Sequence, residues 1–310
     1  MPALGSKQNT LNILEATEFK KFGWLVHGFS TRAGGSSRLY GGNALNLGFT
    51  KDDARAAVER NRLAFLRTLG AGEMKSTRPA AGRKSRAAGG RFQPWPLITL
   101  RQIHSDIIHH VDAPPEAQLA GDGLITQAPK LLLAVQTADC LPVVLVDTRQ
   151  RAVGVFHAGW RGTLRRIVEK GAGEMKRWFN TRAQDLKAAI GPGIHGCCYE
   201  VGEEVREKFE SQFAYAASLF REVKERDPVR EKYPMMFMNM RAPGHGELPN
   251  KIFLDLVEAN RRQLLAAGVK AKNIEASAMC TSCHPDLLFS YRKQNGKTGR
   301  MMAVAGIRGR

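Results

Sequence analysis

From Leu131 to Val146 the chain is almost wholly apolar, and Gln136, Asp139 and Pro142 cut that run into lengths that suit buried strands and not a membrane span. Residues 96–104, 131–135, 143–147 and 152–157 read as four short strands rich in β-branched residues. Residues 22–30, 186–190, 274–278 and 301–307 read the same way. Apolar spacing predicts helices over 163–179, 202–213 and 253–267, the last stopped by Gly268. Thr50, with Asp53 three residues on, predicts the N-cap of a helix that closes at Gly70. Strands and helices alternate irregularly, and no internal repeat is visible. The expected fold is therefore α/β: a mixed-sheet α/β sandwich, a single domain over 1–310 with surface insertions.

Of the 310 residues 43% are hydrophobic and 25% charged, which allows a sizeable core and argues against a fibrous or disordered chain. The N-terminus carries no charged-then-apolar signal, so cytoplasmic residence without membrane contact is expected. Five cysteines, an odd number in a long chain, argue against a secreted disulfide framework and leave metal binding or a reactive thiol. A formal charge of +18 favours anionic partners. Much of it, however, lies in Lys75, Arg78, Arg83, Lys84, Arg86 and Arg91, within a Gly/Ala/Ser/Pro-rich stretch at about 74–94 expected to be a solvated, flexible insertion. No aromatic interleaving or helix-turn-helix pattern accompanies it, which disfavours a nucleic-acid arm. The segment 221–251, rich in Pro, Met and charge, is expected to be a second surface excursion.

Three side chains able to hold a metal fall near predicted strand ends: His104 finishes one, Cys140 precedes another, and His157 finishes the next. Zn²⁺ takes Cys and His ligands, and a catalytic site leaves one position open beside three of them. Asp139 and Gln102 are candidates to hydrogen-bond these ligands, and Gly159 and Gly162, flanking Trp160 and Arg161, allow a sharp turn beside His157. The separations match no zinc-finger pattern, so spacing alone favours ordinary structural histidines.

The segments RQIHSD, GDGLIT, TADCLPVVLVD, HAGWRGT, IGPGIHGCCYEVG and CT, then FSYR and TGR, run in this order over nearly the whole chain. In them the chain resembles the laccase-domain, or YfiH-type, family. The resemblance implies a mixed α/β sandwich and a catalytic Zn²⁺ site of His104, Cys140 and His157. It also implies purine nucleoside phosphorylase activity on adenosine, inosine, guanosine and methylthioadenosine, with inorganic phosphate as co-substrate and adenosine deaminase activity in the same site. Arg32 in FSTR, Asn46 in NLG and Arg292 in FSYR are candidate anion and sugar contacts, together with Asp139. Arginine suits phosphate because its planar fork bonds two oxygens at once.

Other patterns carry less. His245-Gly-Glu247 with Cys280-Thr-Ser-Cys283 imitates a deaminase zinc motif, but Met279 stands where that motif has proline, and flanking prolines and glycines disfavour the needed helix. Cys280 and Cys283 are accordingly expected to be packing or structural thiols, and Cys197-Cys198 to be buried. Gly296-Lys297-Thr298 lacks the upstream glycine of a P-loop. A multi-copper oxidase needs many histidines, several in H-x-H pairs; there are eight, and no such pair. A rival reading is a cysteine hydrolase, or an enzyme editing peptidoglycan precursors, that uses Cys140 and His157.

Overall fold

The computed structural model describes residues 11–75, 90–224, 232 and 250–309. The strands in chain order are β1 (Ile13–Leu14), β2 (Leu25–Ser30), β3 (Ala33–Ser37), β4 (Gly72–Lys75), β5 (Arg91–Pro94), β6 (Leu97–Thr99), β7 (Ile108–His110), β8 (Gly123–Thr126) and β9 (Leu132–Thr137). They continue as β10 (Leu141–Asp147), β11 (Ala152–Ala158), β12 (Leu186–Ile190), β13 (Glu200–Val201), β14 (Phe220–Lys224), β15 (Asn250–Leu254), β16 (Ile274–Ala276) and β17 (Met301–Ile307). The helices are α1 (Arg55–Thr68), α2 (Trp160–Leu164), α3 (Ile167–Phe179), α4 (Glu203–Glu210) and α5 (Leu256–Ala266).

Two mixed sheets form the centre, a five-stranded one in the order β1-β2-β17-β9-β6 and a six-stranded one in the order β16-β12-β10-β11-β8-β7. The pairs β6–β9, β7–β8 and β12–β16 are parallel, and the other neighbours antiparallel. Side-chain alternation along each strand explains the apolar run. Leu133 and Val135 of β9 meet Val144 and Val146 of β10 in a core between the sheets. Leu132 and Ala134 face the other way, onto Phe65 and Leu66 of α1. Leu141, Val143 and Leu145 likewise face outwards, onto Ile167, Val168 and Met175 of α3 and onto α5. The architecture is thus helix, sheet, sheet, helix, a mixed α/β sandwich, and its central strands must be apolar on both faces.

Several boundaries differ from the sequence reading. The predicted strand 96–104 ends at Thr99, so His104 lies in the following loop and does not finish a strand. The helix predicted over 163–179 is broken, because Arg166 adopts a left-handed conformation (φ 65°) between α2 and α3. Thr50 and Asp53 do not cap α1, which starts at Arg55 behind Ala54. The Asp53 carboxylate accepts instead from Ser37 Oγ at 2.6 Å and Asn46 Nδ2 at 2.7 Å, tertiary partners that displace the local cap. The ends of the basic stretch pair as the ribbon β4–β5, and residues 76–89 lie outside the described residues. The ends of the 221–251 segment pair as β14–β15; His245 and Glu247 also lie outside the described residues. Among the described residues no helix is long and apolar enough to cross a membrane.

Candidate metal centre

The chain passes between the two sheets in three residues, leaving β9 at Thr137 and entering β10 at Leu141. So short a crossing needs a sharp turn, and Asp139 makes it with φ 98°, a region that side chains other than glycine rarely occupy. Its carboxylate holds the turn, accepting from Thr281 Oγ1 at 2.6 Å and from the Arg292 backbone N–H at 2.6 Å. Cys140 follows at once. Antiparallel pairing sets Pro142 of β10 opposite His157 of β11, so Cys140 and His157 emerge at the same end of the six-stranded sheet.

His104 arrives from the loop after β6, also with positive φ (56°), and one buried carboxylate holds that loop. Asp122, 0% exposed at the start of β8, accepts from the backbone N–H groups of Ile103 (3.2 Å), His104 (3.1 Å) and Ser105 (2.6 Å), and from Ser105 Oγ (2.7 Å). It also accepts from His157 Nδ1 at 2.8 Å. A proton held on Nδ1 leaves Nε2 as the ligating nitrogen, so this carboxylate sets the tautomer of one histidine and the backbone of the other.

The ligand atoms of His104, Cys140 and His157 then lie within 4.8 Å of one another, with Cys140 Sγ 3.9 Å from His104 Nε2. Burial works against ionising the Cys140 thiol, but the His157 charge and hydrogen bonds from both histidines outweigh it and bring the thiol down to about 6. Burial likewise opposes a charge on His157, yet the facing Cys140 and the Asp122 bond raise it to about 9. A thiolate beside a histidine with its outer nitrogen already bonded is a donor set that Zn²⁺ accepts. Gly159 permits the approach, since a Cβ there would sit 2.9 Å from Cys140 Sγ and 3.1 Å from His104 Cδ2.

These residues floor a cavity of about 630 Å³ whose walls include Trp160, Arg161, Tyr199, Tyr291, Arg292 and Arg300. Burial holds the Tyr199 phenol protonated far above its ordinary range, with Cys140 adding to the effect, so it stays a donor. Of the residues expected from sequence, His104, Cys140, His157, Asp139, Arg292 and Gln102 line this cavity. Gln102 does not bond a ligand: its amide pairs with the backbone N–H and C=O of Gln136 at 2.7 and 2.8 Å.

Arg32 and Asn46 are not in the lining. The Arg32 guanidinium bonds the carbonyls of Pro285 and Tyr40 and packs on the Phe289 ring. Asn46, fully buried, accepts from the Gly48 and Arg300 backbone N–H groups at 3.1 and 2.9 Å, so it reaches the cavity only by positioning Arg300. Asp122, Tyr199, Tyr291 and Arg300 were missed. The glycines on either side of Asp122 were the available signal for the first, and the aromatic residues within CCYEV and FSYR for the tyrosines.

A family model described as multi-copper polyphenol oxidoreductase laccase matches residues 26–84 and 76–308. The chain is similar to a purine nucleoside phosphorylase of Deinococcus radiodurans, 35% identical over 282 residues that cover 91% of this chain and 88% of the relative. It is also 36% identical over 213 residues to an adenosine deaminase, RL5, from an unidentified prokaryote, covering 66% of this chain and 72% of the relative. Among solved structures, a Bacillus licheniformis hypothetical protein YfiH superposes with a TM-score of 0.74 at 29% identity, covering 96% of this chain and 97% of that one.

Proposed function

The chain belongs to the family described as multi-copper polyphenol oxidoreductase laccase, and within it we propose that it is a zinc-dependent purine nucleoside phosphorylase. Its substrates are adenosine, inosine, guanosine and methylthioadenosine with inorganic phosphate, and the same site deaminates adenosine. Relatives named purine nucleoside phosphorylase, and one named adenosine deaminase, support an enzyme of this kind. The observation that carries the reading is the one cavity that joins a His/Cys/His set to three arginines and three large aromatic side chains.

A metal on His104, Cys140 and His157 would supply Lewis-acid activation at the cavity floor. Among the described residues no methionine lines the cavity, and one Cys with two His is a donor set that Zn²⁺ accepts. Arg161, Arg292 and Arg300 offer cationic forks to orient phosphate towards C1′ of the ribose while the bond to the base breaks. Two of them are braced: Arg292 Nη1 donates to the Glu200 carbonyl at 2.8 Å, and Arg300 Nη1 to the Thr298 and Gly299 carbonyls at 3.1 and 3.0 Å. Trp160, Tyr199 and Tyr291 offer faces for a purine, and the Tyr199 hydroxyl a hydrogen-bond donor for the departing base.

The test is a chromatographic product assay with adenosine, with and without phosphate, before and after chelation. Adenine formed only with phosphate marks phosphorolysis, and inosine marks deamination; absence of both sinks the reading. The facing Cys140 and His157 also favour a second reading, a cysteine hydrolase or peptidoglycan-precursor editing enzyme. Turnover of a muramyl amino acid substrate through a covalent Cys140 adduct, with adenosine untouched, would select it. The basic stretch 74–94 and the 221–251 segment are assigned to insertions outside this catalytic unit.

A further inference from the structure

The strands β12 and β16 are parallel neighbours, with Ile190 opposite Ala276, so the loops that follow them leave the six-stranded sheet at the same end. The first loop carries Cys197 and Cys198, and the second Cys280 and Cys283. An isolated bridge between Gly193 and Cys280 ties the loops together, and the Thr281 N–H donates to the Gly193 carbonyl at 2.9 Å. The four sulfurs consequently meet, all within 4.8 Å of one another. Cys283 Sγ lies 3.4 Å from Cys198 Sγ and 3.6 Å from Cys197 Sγ. Contrary to the sequence reading, the Cys197-Cys198 pair is not buried: Cys197 and Cys283 are exposed, Cys198 is intermediate, and only Cys280 is buried.

Four thiols converging from two loops are not what packing demands, since one buried cysteine would fill the space as a small apolar side chain. Tetrahedral Zn²⁺ with bonds of about 2.3 Å places its sulfurs ~3.8 Å apart, near the separations found here. Sulfurs so close can share one ion but cannot span the corners of a multi-iron cluster. The C-x-x-C spacing of Cys280 and Cys283 is that of a structural zinc loop. The backbone supplies a matching donor: the His195 N–H points at Cys280 Sγ at 3.5 Å.

We propose that Cys197, Cys198, Cys280 and Cys283 bind a single Zn²⁺ ion, a closed structural site separate from the His104–Cys140–His157 set. It does not rest on the nucleoside reading. Four deprotonated sulfurs satisfy the ion completely and leave no position for a substrate, so its role is to clip two loops. Those loops carry one wall of the cavity. Tyr199 follows Cys198 directly, Thr281 bonds Asp139, and the Glu200 carbonyl holds Arg292. The clip fixes what would otherwise be two long loops meeting through a few hydrogen bonds.

The test is metal content per chain by elemental analysis, on protein purified under reducing conditions and desalted. Wild type, Cys283→Ser and His104→Ala are compared, with circular dichroism to confirm folding. Cys283 is exposed, so its replacement by serine removes a ligand and no core volume. Cys283→Ser is expected to hold one equivalent of zinc fewer than wild type, and His104→Ala to keep that equivalent. Wild type reconstituted with Co²⁺ should show thiolate-to-metal charge-transfer absorption that Cys283→Ser loses and His104→Ala retains. Should Cys283→Ser not fold, Cys197→Ser, also at an exposed position, and alkylation of wild type before and after chelation decide the matter. The four thiols should then react only after chelation. Equal zinc in wild type and a folded Cys283→Ser variant overturns the proposal, as does a mass deficit showing a disulfide among these cysteines, or iron in place of zinc.

Discussion

Replacing Asp122 by asparagine tests whether one carboxylate assembles the proposed metal site. Asparagine keeps the volume but converts one acceptor oxygen to a donor, which must then face the Ser105 or Ile103 N–H groups, or else His157 Nδ1. Partners one step behind a ligand typically change metal affinity by about 10–100-fold when lost, or about 1.4–2.7 kcal/mol. Folding should weaken too. Burial opposes the Asp122 charge, but the bonds from His157 and Ser105 outweigh it and bring the carboxyl from 3.8 to about 2, worth about 2 kcal/mol. Because the folded-state value is the lower one, this stabilisation is complete above about pH 4 and disappears as pH falls through about 2. The gap in stability between metal-free wild type and Asp122→Asn should therefore be widest near neutral pH and shrink on acidification. Zinc competition with a chromophoric chelator and denaturant titrations at several pH values measure both effects. Zinc affinity within twofold of wild type, or a stability gap that stays constant from pH 7 to pH 3, would refute the assignment of Asp122 as the organiser.

Four further outcomes are expected. His104→Ala and Cys140→Ala should each lower nucleoside turnover by about a hundredfold or more with a near-native melting temperature, since each deletes a ligand and little core volume; full turnover in either variant rejects that ligand. Gly159→Ala should weaken zinc binding although its backbone (φ −79°, ψ 174°) suits alanine, because the new Cβ enters the space between Cys140 and His104; native affinity would show that the neighbours yield. In metal-free protein the rate of Cys140 alkylation, followed by mass spectrometry, should rise through pH 6 and not through pH 9, and zinc should suppress it. Deleting residues 76–89 should leave nucleoside turnover unchanged, because the β4–β5 ribbon that carries them packs with α1 beyond the five-stranded sheet; loss of turnover in a folded deletion variant would place that stretch in the catalytic unit.

What the sequence made legible follows the range of the interactions involved. The central strands were readable because period-two alternation with apolar residues on both faces is local. His104, Cys140 and His157 were recognisable as segments, and the pairing of β10 with β11 then does the rest. Asp122 was not legible, being one of 29 acidic residues, with partners in the loop after β6 and on β11 that only the fold brings to it. Asp53 and Arg32 misled for the converse reason. A plausible local role, a helix cap or an anion contact, lost to tertiary partners at Ser37, Asn46 and Pro285. The four-cysteine cluster shows the same limit, since C-x-x-C is visible in one segment but its partners depend on β12 lying beside β16.

The cavity sits where the two sheets end together, and that placement ties its chemistry to the packing between them. Leu100 and Gln102 follow β6, Gln136 lies on β9 and Arg300 precedes β17, all from the five-stranded sheet. Cys140 directly precedes β10 and His157 lies on β11, both of the six-stranded one. A metal bound by His104 with those two would join elements from both sheets, so its affinity depends on how the sheets register across the core of Leu133, Val135, Val144 and Val155. Truncating Val144 to alanine, more than one residue from any ligand, should therefore cost stability of about 1–3 kcal/mol and also loosen zinc. Zinc, by mass action, should restore part of that stability. If Val144→Ala destabilised the fold while zinc affinity stayed native, the site would be rigid within the loops that carry it, and the packing between the sheets would have no part in forming it.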